Sequence, residues 1–495
     1  MPLAFTSRIA ELETDYLVIG AGATGMAFVD TLLANSGHDV ILLDRRHAPG
    51  GHWLDAYPFV RLHQPSAIFG VESLPLGKDR IDAAGPNAGY YERAGAAEIC
   101  AYYERVLHER MLPTGRVRFL PLHDHQGQDG DTHRAVSRLT GKTCRVHVRR
   151  ALVDARYLEA VNPAHRPPPF AVAPGMRVIP PNALPDVTEA PSGYTVIGAG
   201  KTAMDTVIWL LDQGVAPEDI RWIRPRDAWL SDRGCLQALD LAVPTIACVA
   251  RTTEAMAQAK DMVDLFRRLQ AAGLFDALDP DVTPATFRGA QTSAFERNQM
   301  RRVSNVVRAG YVTAITPERV EMQAGAVPTD REHLHVDCTA NALTPRPTRP
   351  VFEEGRISVQ CLRFGLTCFN AALTAFVEAT RQDNAEKNRL CPPCALPSDA
   401  RDWVAIRLNA MQAETAWNQE PDIQAFMQSS RLNILRGLAA RRDDPESKAA
   451  MAMIAEHREA ALDSLTRLTA VQGQTNAHMK PDTDQENTQR FNWRE

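Results

Sequence analysis

Residues 16–19, Tyr-Leu-Val-Ile, run without a spacer into Gly20-x-Gly22-x-x-Gly25, and helix formers resume over 26–34. The apolar run predicts a buried strand, and the three glycines with the helix formers behind them predict a tight turn and a helix. Gly20 permits the turn, Gly22 lets backbone N–H groups approach a pyrophosphate, and Gly25 lets the helix lie close on the strand, so that an anion meets the helix N-terminus. A second apolar run over 38–44 ends in Asp44, 22 residues beyond Gly22. A carboxylate at that point accepts hydrogen bonds from an adenosine ribose. Strand, glycine turn, helix, strand and acid, in this order, predict a Rossmann-like dinucleotide-binding unit.

The device recurs. Residues 194–197 lead into Gly198-x-Gly200-x-x-Ala203 and a helix over 204–211. Gly200-Lys201-Thr202 imitates the phosphate loop of an NTPase, but Thr195 stands where the leading glycine of that loop is required. The partner strand, 219–223, ends in Arg224-Pro225-Arg226, where the first unit has its acid. A cation there suits the 2'-phosphate of NADP, whereas an acid contacts the free hydroxyl of NAD. Gly198, Gly200, Lys201, Thr202, Ala203, Arg224 and Arg226 are therefore expected at NADPH, with ordinary surface placement of the two arginines as the alternative.

Between the two devices, residues 45–53 carry Arg45, then Gly50, Gly51, His52 and Trp53. Adjacent glycines before an indole let the backbone fold close over a phosphate or ring while the tryptophan closes the apolar side. In this segment, and in Tyr57-Pro58-Phe59-Val60-Arg61, the sequence resembles the two-nucleotide flavoprotein oxidoreductases, specifically the flavin-containing and Baeyer-Villiger monooxygenases. It departs from them in three places. The interval from Trp53 to Tyr57 is one residue short, His63 replaces an aspartate, and no histidine follows His165 up to residue 193, so their Phe-x-Gly-x-x-x-His signature is missing.

The resemblance implies FAD at Gly20, Gly22, Gly25, Asp44, Arg45, Gly50, Gly51, His52, Trp53 and Arg61, with NADPH at the second turn. It implies hydride transfer to flavin N5, then O2 activation as a flavin C4a-(hydro)peroxide that acts on a small organic substrate. His63 and Gln64 fall near the isoalloxazine, where a hydrogen bond tunes N5 or C4a; they are the only catalytic candidates, and plain loop residues are the alternative reading. Asn370 is placed as the N-cap of a helix aimed at the flavin pyrimidine. Residues 336–341 partly match the Asp-x-x-Ala-Thr-Gly strand end of these flavoproteins. Two other outcomes stay open: an NADPH-dependent flavin reductase or dehydrogenase serving a small acceptor, and a non-catalytic nucleotide-binding sensor whose C-terminal helices recruit a partner.

The expected fold class is α/β: two Rossmann-like units, the NADPH unit inserted in the FAD unit, with a helical C-terminal extension. The expected boundaries are 1–185 for the first part of the FAD unit and 190–330 for the NADPH unit, with a helical insertion at about 252–310. The FAD unit returns over 331–395, with short strands at 311–315, 319–323 and 333–336 leading back to it. A helical region occupies 396–470 and a disordered tail 471–495. Residues 162–185 are proline-dense and read as a semi-rigid crossover. Helical periodicity over 254–272 and 287–308 suggests a cap over the substrate side.

Composition excludes other classes. The chain has 495 residues, 44% of them hydrophobic, and a net charge of -5 with interspersed signs, which gives nucleic acid no basic stripe to bind. No apolar run is long enough to span a bilayer and the first residues lack a leader pattern, so the reading is a soluble, cytoplasmic protein. Nine scattered cysteines suggest reduced thiols rather than a disulfide framework. Cys391-Pro392-Pro393-Cys394 has redox spacing but lies in a proline turn, which favours a structural or accessory role. His123 and His125 sit in a Gly/Asp/Gln-rich stretch that reads as a surface loop, and no metal site is expected.

Overall fold

The computed structural model describes residues 10–158, 162–339 and 346–478. The apolar run at 16–19 is the end of a longer strand, Ala10–Ile19. Its polar first half is held by parallel pairing with Thr143–Asp154, from Ala10 opposite Cys144 to Ile19 opposite Asp154. On the other side Val40–Leu43 pairs in parallel, and Val117–Leu120 pairs with that strand in turn. All four residues of Val40–Leu43 are buried, as expected of a strand covered on both faces. The helices Ala23–Asn35 and Thr367–Thr380 pack on each other, and Met26, Phe28, Phe369 and Leu373 share a core with Val18 and Leu42. The sheet ends in the hairpin Phe352–Glu353 and Arg356–Ser358, whose second strand pairs with Thr143–Asp154.

A second sheet is parallel throughout. Its order is Val306–Val307, Ile220–Ile223, Tyr194–Ile197, Leu334–Asp337, Arg177–Ile179. Every one of these strands lies in sequence between Thr143–Asp154 and Phe352–Glu353, so the second unit interrupts the first. The fold is α/β with two Rossmann-like sheets.

Several expectations need correction. Residues 333–336 do not return to the first sheet; Leu334–Asp337 is an interior strand of the second, and the return begins at Phe352. The proline-dense crossover contributes the edge strand Arg177–Ile179. Val312–Ile315 and Arg319–Met322 form a separate sheet with Gly325–Pro328 and Ala171–Val172. Residues 287–308 are not one helix. Thr286–Thr292 is a strand parallel to Ala228–Asp232, and a helix of seven residues, Ala294–Met300, starts after the Ser293 cap. His123–Asp129 is a strand of a hairpin with Thr132–Ser137 rather than a loop. Helix continues to His478, into the segment expected to be disordered, while 479–495, and the Ala340 and Asn341 of the partial strand-end match, lie outside the described residues.

The insertion supplies the helices Ala242–Gln258 and Met262–Ala271, and the C-terminal region supplies Asp402–Trp417, Pro421–Ser429 and Pro445–His478. Pro445–His478 packs along Ala242–Gln258, with Ala450 against Ile246 and Ala250. Trp403 meets Phe266 and Phe275 edge-on. Arg431 anchors the extension to the first unit by donating to the carbonyl oxygens of Ala67, Phe69 and Val71. Among the described residues no helix is long and apolar enough to cross a membrane.

Candidate active site

Gly20 has a φ of 105°, which favours glycine. At Gly25 a Cβ would lie 1.8 Å from the Gly20 carbonyl oxygen, so the helix can approach the turn only without a side chain. The double glycine has a related purpose. A Cβ on Gly51 would lie 2.8 Å from the Gly22 Cα, and the Gly50 N–H donates to the Ala21 carbonyl at 2.9 Å. Gly50 and Gly51 therefore dock one loop on the other, and Gly25 and Gly50 lie behind the cleft wall instead of lining it. The Asp44 carboxylate, 4% exposed, accepts from the Ala21 N–H at 2.6 Å and the Arg46 N–H at 2.7 Å. Trp53 lines the cleft with a buried indole Nε1 that has no hydrogen-bond partner among the described residues. An acid fixed beside a glycine turn and an unpaired donor in the same wall are the features a bound dinucleotide satisfies.

The second turn repeats the plan with one difference. A Cβ on Gly198 would lie 2.7 Å from the Cys338 carbonyl oxygen, whereas among the described residues Gly200 has nothing within 4 Å in that direction. Space is thus left in front of the N-terminus of Lys201–Asp212, an anion-binding position. Lys201 and Thr202 line the cleft and Ala203 is packed beneath them. Lys201 pairs with Asp205, which also accepts from the Tyr57 hydroxyl at 2.8 Å, tying the 57–61 segment to this helix.

Arg224 is not where the sequence reading put it. It is 4% exposed, lies over the Trp222 ring at 5.0 Å, pairs with Asp227 at 3.4 Å and does not line the cleft. Arg226 does line it, over the Tyr311 ring at 5.7 Å, and Arg288 joins it. Burial, with Arg226 adding to it, pulls the Arg288 guanidinium below its ordinary pKa. Arg288 had no sequence signal, because it comes from a strand that reads as helix.

His63 and Gln64 both line the cleft. Burial, then Lys201, Arg93 and Arg233, push the His63 pKa down to about 3, so the imidazole is neutral near pH 7 and offers a hydrogen bond rather than a proton. Behind it Glu296 bridges Arg93 at 3.2 Å and the fully buried Arg233. Burial raises the Glu296 carboxyl, but Lys201, Arg233 and Arg93 outweigh that and hold its pKa below the ordinary value. Arg61 lines the cleft and donates to the Arg93 carbonyl at 3.0 Å, and Arg45 and His52 line it near Asp44.

Asn370 is not an N-cap. The helix starts at Thr367, and buried Asn370 exchanges hydrogen bonds with the N–H and carbonyl of Arg363, both at 2.9 Å. Gly365, Leu366 and Thr367 face the cleft instead. The thiol reading is corrected too. A turn at Arg233–Cys235 brings Cys235 to the helix carrying Cys248, with 5.4 Å between the Cα atoms, and the two form a disulfide that lines the cleft; the other seven are free. The Cys394 N–H donates to the Cys361 carbonyl oxygen at 2.8 Å, and Cys391 is buried in the core of the first unit. His125 meets His133 at 3.0 Å, and among the described residues no group of three His, Cys, Asp or Glu is arranged to hold a metal ion.

Both glycine turns open on one cleft of about 1800 Å³. That is larger than a pocket for one small ligand, roughly 300–1000 Å³. Part of the same cleft is an apolar chamber walled by Phe275 and Phe287 from the insertion, Phe364 from the loop before Thr367–Thr380, and Trp403 and Ile406 from Asp402–Trp417.

A family model for an NAD(P)-binding Rossmann-like domain matches residues 18–66. Among solved structures, the chain is similar to the polycyclic ketone monooxygenase of Thermothelomyces thermophila, with 11% identity and a TM-score of 0.47 over 93% of this chain and 90% of that one. A steroid monooxygenase bound to NADP matches with 13% identity and a TM-score of 0.47 over 74% of this chain and 85% of that one. In sequence, the chain is 44% identical over 428 residues to the uncharacterized protein Rv2000 of Mycobacterium tuberculosis, covering 86% of this chain and 79% of the relative. With that identity sustained over most of both chains, the protein belongs to the family that includes Rv2000.

Proposed function

We propose that the protein is an FAD- and NADPH-dependent oxidoreductase, and that its reaction is the oxygenation of a small organic substrate held in the apolar chamber. The observation that carries this reading is the opening of both glycine turns, with their distinct second-strand ends, on a single cleft. Asp44 beside the first turn suits the adenosine ribose of FAD, and Arg226 with Arg288 beside the second suits the 2'-phosphate of NADPH. FAD, when bound, supplies the two-electron chemistry with O2 that amino-acid side chains lack. The overall balance is NADPH, a proton, O2 and substrate giving NADP+, water and oxygenated substrate. The chain's own residues bind, align and exclude water. Gly200 and the helix behind it seat the pyrophosphate, and neutral His63 offers an uncharged hydrogen bond at the junction of the two sites. The aromatic wall keeps the chamber dry.

The missing Phe-x-Gly-x-x-x-His signature and a disulfide in the cleft wall favour a second reading, in which NADPH electrons pass through FAD to a small acceptor without oxygenation. Anaerobic NADPH is expected to bleach the flavin absorbance of the purified protein, with NADH much slower. On admission of O2 with candidate substrates, an oxygenated product bearing label from 18O2 supports oxygenation, whereas reoxidation giving only hydrogen peroxide supports the second reading. A colourless chain that cannot take up FAD would overturn both.

A further inference from the structure

Arg407 is a cation without an anionic partner in the wall of the chamber. It sits one turn beyond Trp403 on Asp402–Trp417, with its guanidinium 5.9 Å from the Trp403 ring. Among the described residues it makes no hydrogen bond and no ion pair, and its Nε is buried. Burial lowers its pKa, an effect that Glu414 opposes and Arg363 reinforces. Arg363 reaches the same wall from the loop before Thr367–Thr380. One of its nitrogens is bound to Glu414, while its Nη1 is buried and has no hydrogen-bond partner among the described residues. Arg458 stands 3.8 Å from Glu414 on the far side. Three guanidiniums thus lie near the Glu414 carboxylate, which pairs with Arg363 and Arg458 but not with Arg407. Two of them hold buried N–H donors that water does not reach, and an unmade hydrogen bond from a buried charged group is costly.

We infer that Arg407, with the free edge of Arg363, is a carboxylate subsite, and that the chamber takes an amphipathic organic acid with an aromatic or alicyclic body. The apolar walls cover the ring, and the planar guanidinium fork matches the two oxygens of a carboxylate. This deepens the proposed reaction by naming the substrate class, and so rests on the chamber being the substrate site. It is tested by binding alone.

The probes are naphthalene-2-carboxylate and naphthalene-2-carboxamide, which share a ring and differ in charge. They are titrated calorimetrically into the FAD-loaded full-length protein. The carboxylate is expected to bind about 10-fold or more tightly, as a charge-assisted pair requires. Arg407→Met should bring the two dissociation constants together, and Arg407→Lys should restore part of the difference. The inference is overturned if the wild type binds the carboxamide as well as the carboxylate, if it binds neither, or if Arg407→Met keeps the preference. The wild-type comparison stands even if a variant fails to fold. Flavin reduction by NADPH is recorded separately, so a carboxylate preference without reduction sinks the redox reading alone, and reduction without the preference sinks only the subsite.

Discussion

Gly25 and Gly200 are the same residue type with opposite surroundings, and substitution separates them. Gly25→Ala puts a methyl group into the Gly20 carbonyl, and is expected to cost on the order of 3 kcal/mol or more and to abolish FAD uptake, read by thermal melting and flavin content. Gly200 has a φ of -82°, open to any residue, and no described residue within 4 Å of where its Cβ would stand. Gly200→Ala should leave stability within about 0.5 kcal/mol while raising the KM for NADPH roughly tenfold. The arginines divide in the same way. Arg226→Ala and Arg288→Ala are each expected to reduce the preference for NADPH over NADH by roughly 10- to 100-fold, the worth of a charge-assisted hydrogen bond. Arg224→Met, which removes a buried partner of Asp227, should lower the melting temperature and leave that preference unchanged. The sequence located the cationic corner but named both arginines of the run, of which only Arg226 lines the cleft, since a three-residue run does not reveal which side chain turns inward. Arg288 and Arg407 were beyond reach, because each is defined by what lies across a cavity from it.

Among the elements, the strand ends that run into a glycine turn were legible to the residue, because the turn there is dictated by local chemistry. Tyr194–Ile197 is the clearest case. Leu334–Asp337 could be read as a strand but not assigned to a sheet, since parallel pairing partners are set by topology far away in sequence. This strand carries a pH dependence. His335 is fully buried, its Nδ1 3.1 Å from the Arg177 carbonyl and its Nε2 3.0 Å from the Thr329 hydroxyl, which fixes the neutral ring with the proton on Nδ1. Burial, its largest cause, lowers the pKa to about 4, from an ordinary value of 6.5. Between those values the unfolded chain binds the proton and the folded one does not, so stability rises with pH across the window and is lost as pH falls through it. The full effect is roughly 3 kcal/mol. Urea midpoints measured from pH 7 to pH 4 should fall steeply in the wild type and less steeply in His335→Gln.

Across the whole molecule, the two units are joined by buried charge as well as by the chain. Arg93 belongs to the first unit, Arg233 and Glu296 to the second, and all three are nearly or fully buried. Glu296→Gln leaves two buried guanidiniums without their anion, a loss of about 3–5 kcal/mol. Because the bridge spans the units, its removal should also split one cooperative calorimetric transition into two. The insertion of one unit in the other was legible in the order of the glycine turns. The purpose of the C-terminal helices was not, since their helical pattern does not say what they lean on. Pro445–His478 closes the chamber against Ala242–Gln258, yet lies downstream of everything it covers. A nascent chain can therefore form both glycine turns on the ribosome while the proposed substrate chamber still lacks a wall, so drift in this segment can change what the chamber accepts without disturbing the turns already built.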